Sequence, residues 1–211
     1  MAELRRQAPH NVGVIERWIG EHARAQRVLV PRLQRWVQFM VLLAALDGVR
    51  EHNGEPLFLL KGGTAMELRL RTRACATQDI DALFRAPAAS VLAQLDQARR
   101  GAWGDFSFER GAPAPIRQTG SVRIEIKLSY RGRRWGTVPL ELAPAEGESG
   151  GDVETLDGIE LQQFGLAGPQ RVACLGVRYQ IAQKIHACTE PPAAGRRVDR
   201  PGFLGDGLFV R

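Results

Sequence analysis

Apolar residues recur along this chain with two different periods, and the switches between them mark out its elements. From Val30 to about Glu51 they return every three or four positions (Leu33, Val37, Met40, Val41, Ala44), which predicts a helix with one buried stripe. His52 to Pro56 reads as a loop. Leu57 to Leu60 is apolar on both faces and too short for a helix, so it predicts a buried strand. Past Lys61-Gly62-Gly63 a helix is expected, with Thr64 as its N-cap and the strong helix formers of "AMELRLR" behind it. Thr77 to Phe84 predicts a second strand and Ser90 to Arg100 a serine-capped helix. Between Ser121 and Tyr130 the residues Val122, Ile124, Ile126 and Leu128 alternate with polar ones, the period of a half-buried strand. "RGRRWGT" then turns the chain, and Thr137 to Ala143 alternates again, so the pair predicts a hairpin. An acidic, Gly-rich loop is expected from Glu146 to Gly158, and an amphipathic helix from Gly176 to Cys188 with Val177, Ile181, Ile185 and Cys188 on one face. The first thirty residues are polar and Arg-rich, and no internal repeat is visible.

This order of elements predicts an α/β (α+β) fold with a mixed sheet. The acidic loop divides it into residues 1–158, holding N-terminal helices and the core, and residues 159–211, a helical C-terminal portion that reads as truncated.

Composition narrows the class. An apolar fraction of 44% and a charged fraction of 25% over 211 residues are those of an ordinary globular protein. The longest apolar block, Phe39 to Leu46, is too short to span a bilayer, and the N-terminus lacks the apolar core of a secretory signal. No membrane partner is expected. Cys75, Cys174 and Cys188 are widely spaced and odd in number, which argues against a disulfide framework or a zinc site and for a cytoplasmic protein. Of the 29 basic residues only Lys61, Lys127 and Lys184 are lysines, and the net charge is +6. Arginine's planar fork suits phosphate, so a polyanionic partner is one reading; arginine as this chain's default cation is the other.

The rarity of lysine makes "LFLLKGGTAMELRL" (Leu57 to Leu70) informative. Gly62 and Gly63 allow close approach of the backbone to a ligand, the following helix start offers free N–H groups, and Lys61 adds a mobile charge. Together they suit a phosphate, although the Walker A spacing is absent and a plain strand-to-helix turn fits the same letters. Asp79 and Asp81 lie two apart and so face the same side of the second strand. At about 4 Å and an effective dielectric near 20 two carboxylates repel by roughly 4 kcal/mol, which a cation between them would relieve. Magnesium at nucleotide sites is held in this way, by one or two carboxylates plus phosphate oxygens. Asp-x-Asp by itself is also common on surfaces.

A Gly-Gly-Thr turn, a helix and then Asp-x-Asp on the next strand resembles the nucleotidyltransferases of the DNA polymerase β-like superfamily. More narrowly, Lys61-Gly62-Gly63-Thr64-Ala65 with Thr77-Gln78-Asp79-Ile80-Asp81 resembles the AbiEii/AbiGii family of bacterial nucleotidyltransferase toxins, also called MenA-like or MenT toxins. "IAQKIHA" matches the family's lysine helix through Lys184, and "GRRVDR" offers Arg196, Arg197 and Asp199 at its next motif. The resemblance runs from about Val37 to Asp199. It implies a polymerase β-like core in which Asp79 and Asp81 bind two Mg2+ ions and Lys61, Gly62, Gly63 and Thr64 cradle the triphosphate of an NTP. Lys184 would bind the triphosphate or steady the leaving pyrophosphate, and Asp199 would be catalytic. The third metal carboxylate is Glu141, in "PLELAP", with Glu125, in "RIEIKL", as runner-up. The acceptor it implies is tRNA, and the partner is a cognate antitoxin of AbiEi type from a neighbouring gene, in a type IV toxin–antitoxin system.

After Asp199 the chain departs from the family. Pro201, Gly202 and Gly205 interrupt the helical region expected there, which puts the role of Asp199 in question. Rival readings are an inactive remnant that binds RNA or a partner, a nucleotidyltransferase acting on a protein or small molecule, and an arginine-rich α/β module without nucleotide binding.

Overall fold

The computed structural model describes residues 7–100, 103–116, 120–145 and 151–189. Two helices come first. α1 (Val12–Gln26) is capped by Asn11, whose side chain accepts from the Val14 N–H at 3.1 Å, and it ends on Arg27 in the left-handed region. Its Val12, Ile15, Ile19 and Ala23 are buried at helical spacing, an apolar stripe that the surrounding arginines conceal in the sequence. α2 (Val30–Asp47), the predicted helix, begins with a proline in its first turn and is buried along most of its length.

The chain then enters an eight-stranded mixed sheet. β1 (Phe58–Lys61) runs into α3 (Gly62–Leu70), and β2 (Ile80–Phe84) returns antiparallel to β1. α4 (Val91–Arg100), β3 (Phe106–Arg110) and the short β4 (Ala114–Pro115) follow. β5 (Val122–Tyr130) and β6 (Arg133–Pro144) form the predicted hairpin, and β6 inserts parallel to β2. β7 (Val153–Asp157) pairs with β8 (Arg171–Leu175), which lies parallel to β1. α5 (Val177–Thr189) closes the described chain. The strand order is β3-β5-β6-β2-β1-β8-β7, with β4 also on β5.

Four strands, β3, β4, β7 and β8, lie where no strand was expected. β7 falls within the stretch read as an acidic loop, β8 is a five-residue segment without a period of its own, and β3 precedes the hairpin. Short strands acquire their structure from the neighbours they pair with, which a local pattern does not record. The start of α3 also differs. Thr64 is not the N-cap: the helix opens at Gly62, Lys61 occupies the cap position without a side-chain bond, and Thr64 is buried inside the first turn.

One continuous core joins α1, α2, α3 and α4 to one face of the sheet, where Leu60, Ile80, Ala82, Ile124, Ile126, Leu140 and Leu142 are buried. The other face carries a small apolar cluster of Leu59, Leu83 and Leu175, against which Val153, Ala173 and Tyr179 pack. Beside that cluster the same face becomes charged. α5 has its predicted apolar face, but that face is open: Val177, Ile181 and Ile185 are 41%, 54% and 59% exposed, while Gln180 is buried instead and donates to the Leu175 carbonyl.

Candidate active site

The charged patch sits where β1 ends and β2 begins. Register places Lys61 opposite Asp81 across the antiparallel pair and Asp81 beside Glu141 across the parallel pair. Because strand side chains alternate, Lys61, Asp81 and Glu141 share the face opposite the main core. Asp79, just before β2, completes a group of three carboxylates whose ligand atoms all lie within 4.8 Å of one another. The structure therefore joins Glu141, rather than Glu125, to the two aspartates. Glu125 is exposed on β5 in register with Pro139, two residues along β6 from Glu141.

Both glycines of the turn are required sterically. Gly62 has φ of +62°, and a Cβ there would fall on the Asp81 carboxylate. A Cβ on Gly63 would come 2.7 Å from Thr77 Oγ1. The turn thus rests directly against the acidic strand, close enough for the Gly63 N–H to donate to Asp81.

Asp79 is held by its surroundings. The Thr64 hydroxyl donates to the Asp79 carbonyl at 2.8 Å, and the Thr77 hydroxyl lies 3.2 Å from Asp79 Oδ1. The buried Thr64 side chain thereby anchors the start of β2. Glu67, one turn further along α3, accepts from the Thr77 N–H at 3.0 Å, from Arg32 at 3.4 Å and from the Trp36 indole. Burial raises the Glu67 carboxyl above its ordinary range, while the Trp36 and Thr77 hydrogen bonds and the charges of Arg32 and Arg35 oppose that. Arg32 also donates to the Ala74 carbonyl at 2.6 Å and Arg35 to the Thr77 carbonyl at 3.0 Å. Helices α2 and α3 together therefore fix the connection that delivers Asp79 and Asp81.

The electrostatics are those of a site short of positive charge. Burial, and then the charges of Asp79 and Glu141, push the Asp81 carboxyl from 3.8 up to about 6, against the pull of Lys61 and the Gly63 N–H. Arg123 on β5 partly compensates. Its Nη1 lies 2.7 Å from Glu141 Oε1 and 3.8 Å from Asp79 Oδ2. Three hard oxygen donors, one of them held above its normal pKa by burial and then by its acidic neighbours, are a donor set that suits Mg2+. The residues present fit such an ion.

Lys184 stands apart. It is exposed on α5, and it makes no hydrogen bond or ion pair with the described residues. α5 does follow β8, whose Cys174 pairs with Leu60 of the parallel β1, so the helix starts at the same end of these strands as the acidic group. Asp199, with Arg196 and Arg197, falls outside the described residues. Two contributors escaped the sequence reading. Glu67 carried a weak signal, a lone acid three residues after Thr64 in a helix otherwise read for its apolar face. Arg123 carried none, since only the β5–β6 register places it against Glu141.

Comparison with known proteins follows the same lines. A family model described as "Nucleotidyl transferase AbiEii toxin, Type IV TA system" matches residues 44–201. No curated protein matches the chain significantly. Among solved structures, MenT4, a nucleotidyltransferase toxin from Mycobacterium tuberculosis H37Rv, superposes with a TM-score of 0.54 at 18% identity. The superposition covers 85% of this chain and 59% of MenT4, so the likeness is one of fold and this chain spans little more than half of that protein. The polyadenylate synthase of Megavirus aligns at 11% identity over 85% of this chain and 29% of its own, with a TM-score of 0.29 that carries no argument.

Proposed function

This chain belongs to the AbiEii family of nucleotidyltransferase toxins of type IV toxin–antitoxin systems, and on that premise we propose that it transfers a nucleoside monophosphate from an NTP to the 3′ end of tRNA. The observation that supports this reading is the convergence of Asp79, Asp81 and Glu141 within 4.8 Å, against a Gly-Gly turn that opens a helix.

In this reading the three carboxylates hold Mg2+. When bound, the ion lowers the pKa of the attacking hydroxyl and offsets charge on the phosphates. The remaining work falls to the chain. Gly62 and Gly63 let the turn pack against Asp81 and Thr77, the first turn of α3 presents N–H groups to the triphosphate beside the acidic group, and Lys61 supplies positive charge there. The acceptor hydroxyl gives up its proton to solvent as its oxygen bonds to the α-phosphorus, the bond from that phosphorus to the oxygen bridging to the β-phosphate breaks, and pyrophosphate leaves with the electron pair. Lys184, on the exposed surface of α5, is the residue assigned to the triphosphate or the departing pyrophosphate. Thr64 and Glu67 act at one remove by fixing Asp79. The family implies an antitoxin partner, for which we propose an AbiEi-like protein; the chain's net charge of +6 favours binding of a polyanion such as tRNA.

The test is to incubate the purified protein, and its Asp81→Ala variant, with total tRNA, Mg2+ and each labelled NTP in turn. Label entering tRNA with the unaltered chain alone is the expected result, and it also identifies the nucleotide. A folded protein that labels no tRNA with any nucleotide overturns the tRNA reading.

A further inference from the structure

Arg123 occupies the position where a cation is needed. It comes from β5, the strand beyond β6, and register sets it directly across from Glu141. From there its guanidinium reaches Glu141 Oε1 at 2.7 Å and Asp79 Oδ2 at 3.8 Å, so it contacts the carboxylates of two different strand segments at once. Its side chain is 43% exposed, and apart from Glu141 and Asp79 it has no ion-pair partner among the described residues. No hydrogen bond or ion pair ties it to the main core among the described residues. Its neighbours on the same face of β5 behave otherwise: Lys127 pairs with Glu109 on β3, away from the acidic group, and Glu125 carries the opposite charge.

Arg123 is therefore a cation bound to the acidic group by one hydrogen bond to Glu141 and by charge, on a side chain long enough to leave it. A guanidinium and a divalent ion cannot both lie against the same carboxylate oxygens, because like charges at such separations repel by several kcal/mol even at an effective dielectric near 20. We propose that Arg123 is the resident counter-cation of the Asp79–Asp81–Glu141 group, that it competes with the divalent metal for these carboxylates, and that metal loading displaces it toward solvent on the substrate side of the sheet. This inference rests on the metal-dependent reading above. It makes Arg123 a positioning residue: it keeps the carboxylates gathered before the metal arrives, and it sets how much metal is needed to load the site.

The experiment compares the full chain with Arg123→Met and Arg123→Lys, measuring Mn2+ binding without nucleotide by calorimetry and thermal unfolding with and without the ion. Arg123→Met is expected to bind Mn2+ about tenfold more tightly, the effect of removing roughly one charge from the site. The same variant should melt at a lower temperature than the unaltered chain when metal-free and regain that loss with Mn2+. Arg123→Lys, which retains the charge, should lie close to the unaltered chain. A residue with a merely structural role would lower stability without tightening metal binding. Equal Mn2+ affinity in the unaltered chain and Arg123→Met overturns the competition while leaving the metal-dependent reading intact. No Mn2+ binding by any of the three folded proteins overturns both.

Discussion

On one face of β1, β2 and β6, Leu60, Ile80, Ala82, Leu140 and Leu142 are buried beneath four helices. One residue over on each strand, Lys61, Asp81 and Glu141 stand on the opposite face, in a group that like charges push apart. The same backbone hydrogen bonds carry both sets. The apolar face contributes stability by removing surface from water, and the charged face spends some of that stability to hold three carboxylates together before any ligand arrives. A substitution should therefore declare its face: loss of folding on one side, loss of chemistry without loss of folding on the other.

Asp81→Asn tests that division most sharply. It should reduce nucleotidyl transfer on the order of 10³-fold, since it removes a charged ligand from the centre of the group. It should also leave the metal-free protein at least as resistant to thermal unfolding at neutral pH, because the group repelled by its neighbours is gone. A variant that instead unfolds would show that the charged face supports the fold. Leu140→Ala, fully buried on the other face, should lower stability by about 3 kcal/mol in denaturant titration, with metal affinity unchanged in the folded fraction.

pH should separate the faces as well. With its folded pKa raised from 3.8 to about 6, Asp81 favours the folded state fully below about 3.8 and loses that contribution as pH rises through about 6. The loss amounts to roughly 3 kcal/mol. Metal-free protein should therefore lose stability between pH 4 and pH 6.5 relative to Asp81→Asn, a window set by that shift. Mg2+ should reverse the trend above pH 6, where the carboxylate is free to bind it. Thermal melts of both proteins across this range, with and without Mg2+, provide the check. Gly62→Ala should cost about 1–2 kcal/mol through its positive φ and, by pressing on the Asp81 carboxylate, weaken metal binding measured on the same samples. The smallest effect is expected for Glu125→Gln, which should change Mn2+ affinity less than twofold, about 0.4 kcal/mol, whereas Glu141→Gln should weaken it measurably. Equal effects at the two glutamates would mean that the group extends along β5.

The helices and strands that carry a strong period were legible in the chain: α2, the β5–β6 hairpin and the span of α5 follow their apolar spacing. The turn at Gly62 and Gly63 was legible for a different reason, since two adjacent glycines before a helix mark a place where side chains do not fit. The structure supplies the obstacles, Asp81 and Thr77. α1 was hidden because arginines and polar residues fill the gaps in its stripe, and β7 and β8 because five-residue strands take their structure from pairing. α5 forms over the expected span, but the pattern does not reveal that its apolar residues stay open among the described residues.

For the site, the identity of the residues on each local segment came from the chain itself. Lys61, Gly62 and Gly63 are contiguous, and Asp79 and Asp81 share a face because a strand alternates every second residue. Pairing between strands distant in sequence was a matter for the tertiary structure. Parallel pairing of β2 with β6 chose Glu141 over Glu125 as the third carboxylate, and antiparallel pairing of β6 with β5 brought Arg123 against it. Thr64, expected as the N-cap, lies inside the first turn of α3 and anchors Asp79 through its hydroxyl, a contact between segments distant enough that no local pattern shows it. Local sequence can specify which way a side chain points along its own strand. Which charges then face one another depends on register between strands, and register is decided by the packing of the whole sheet.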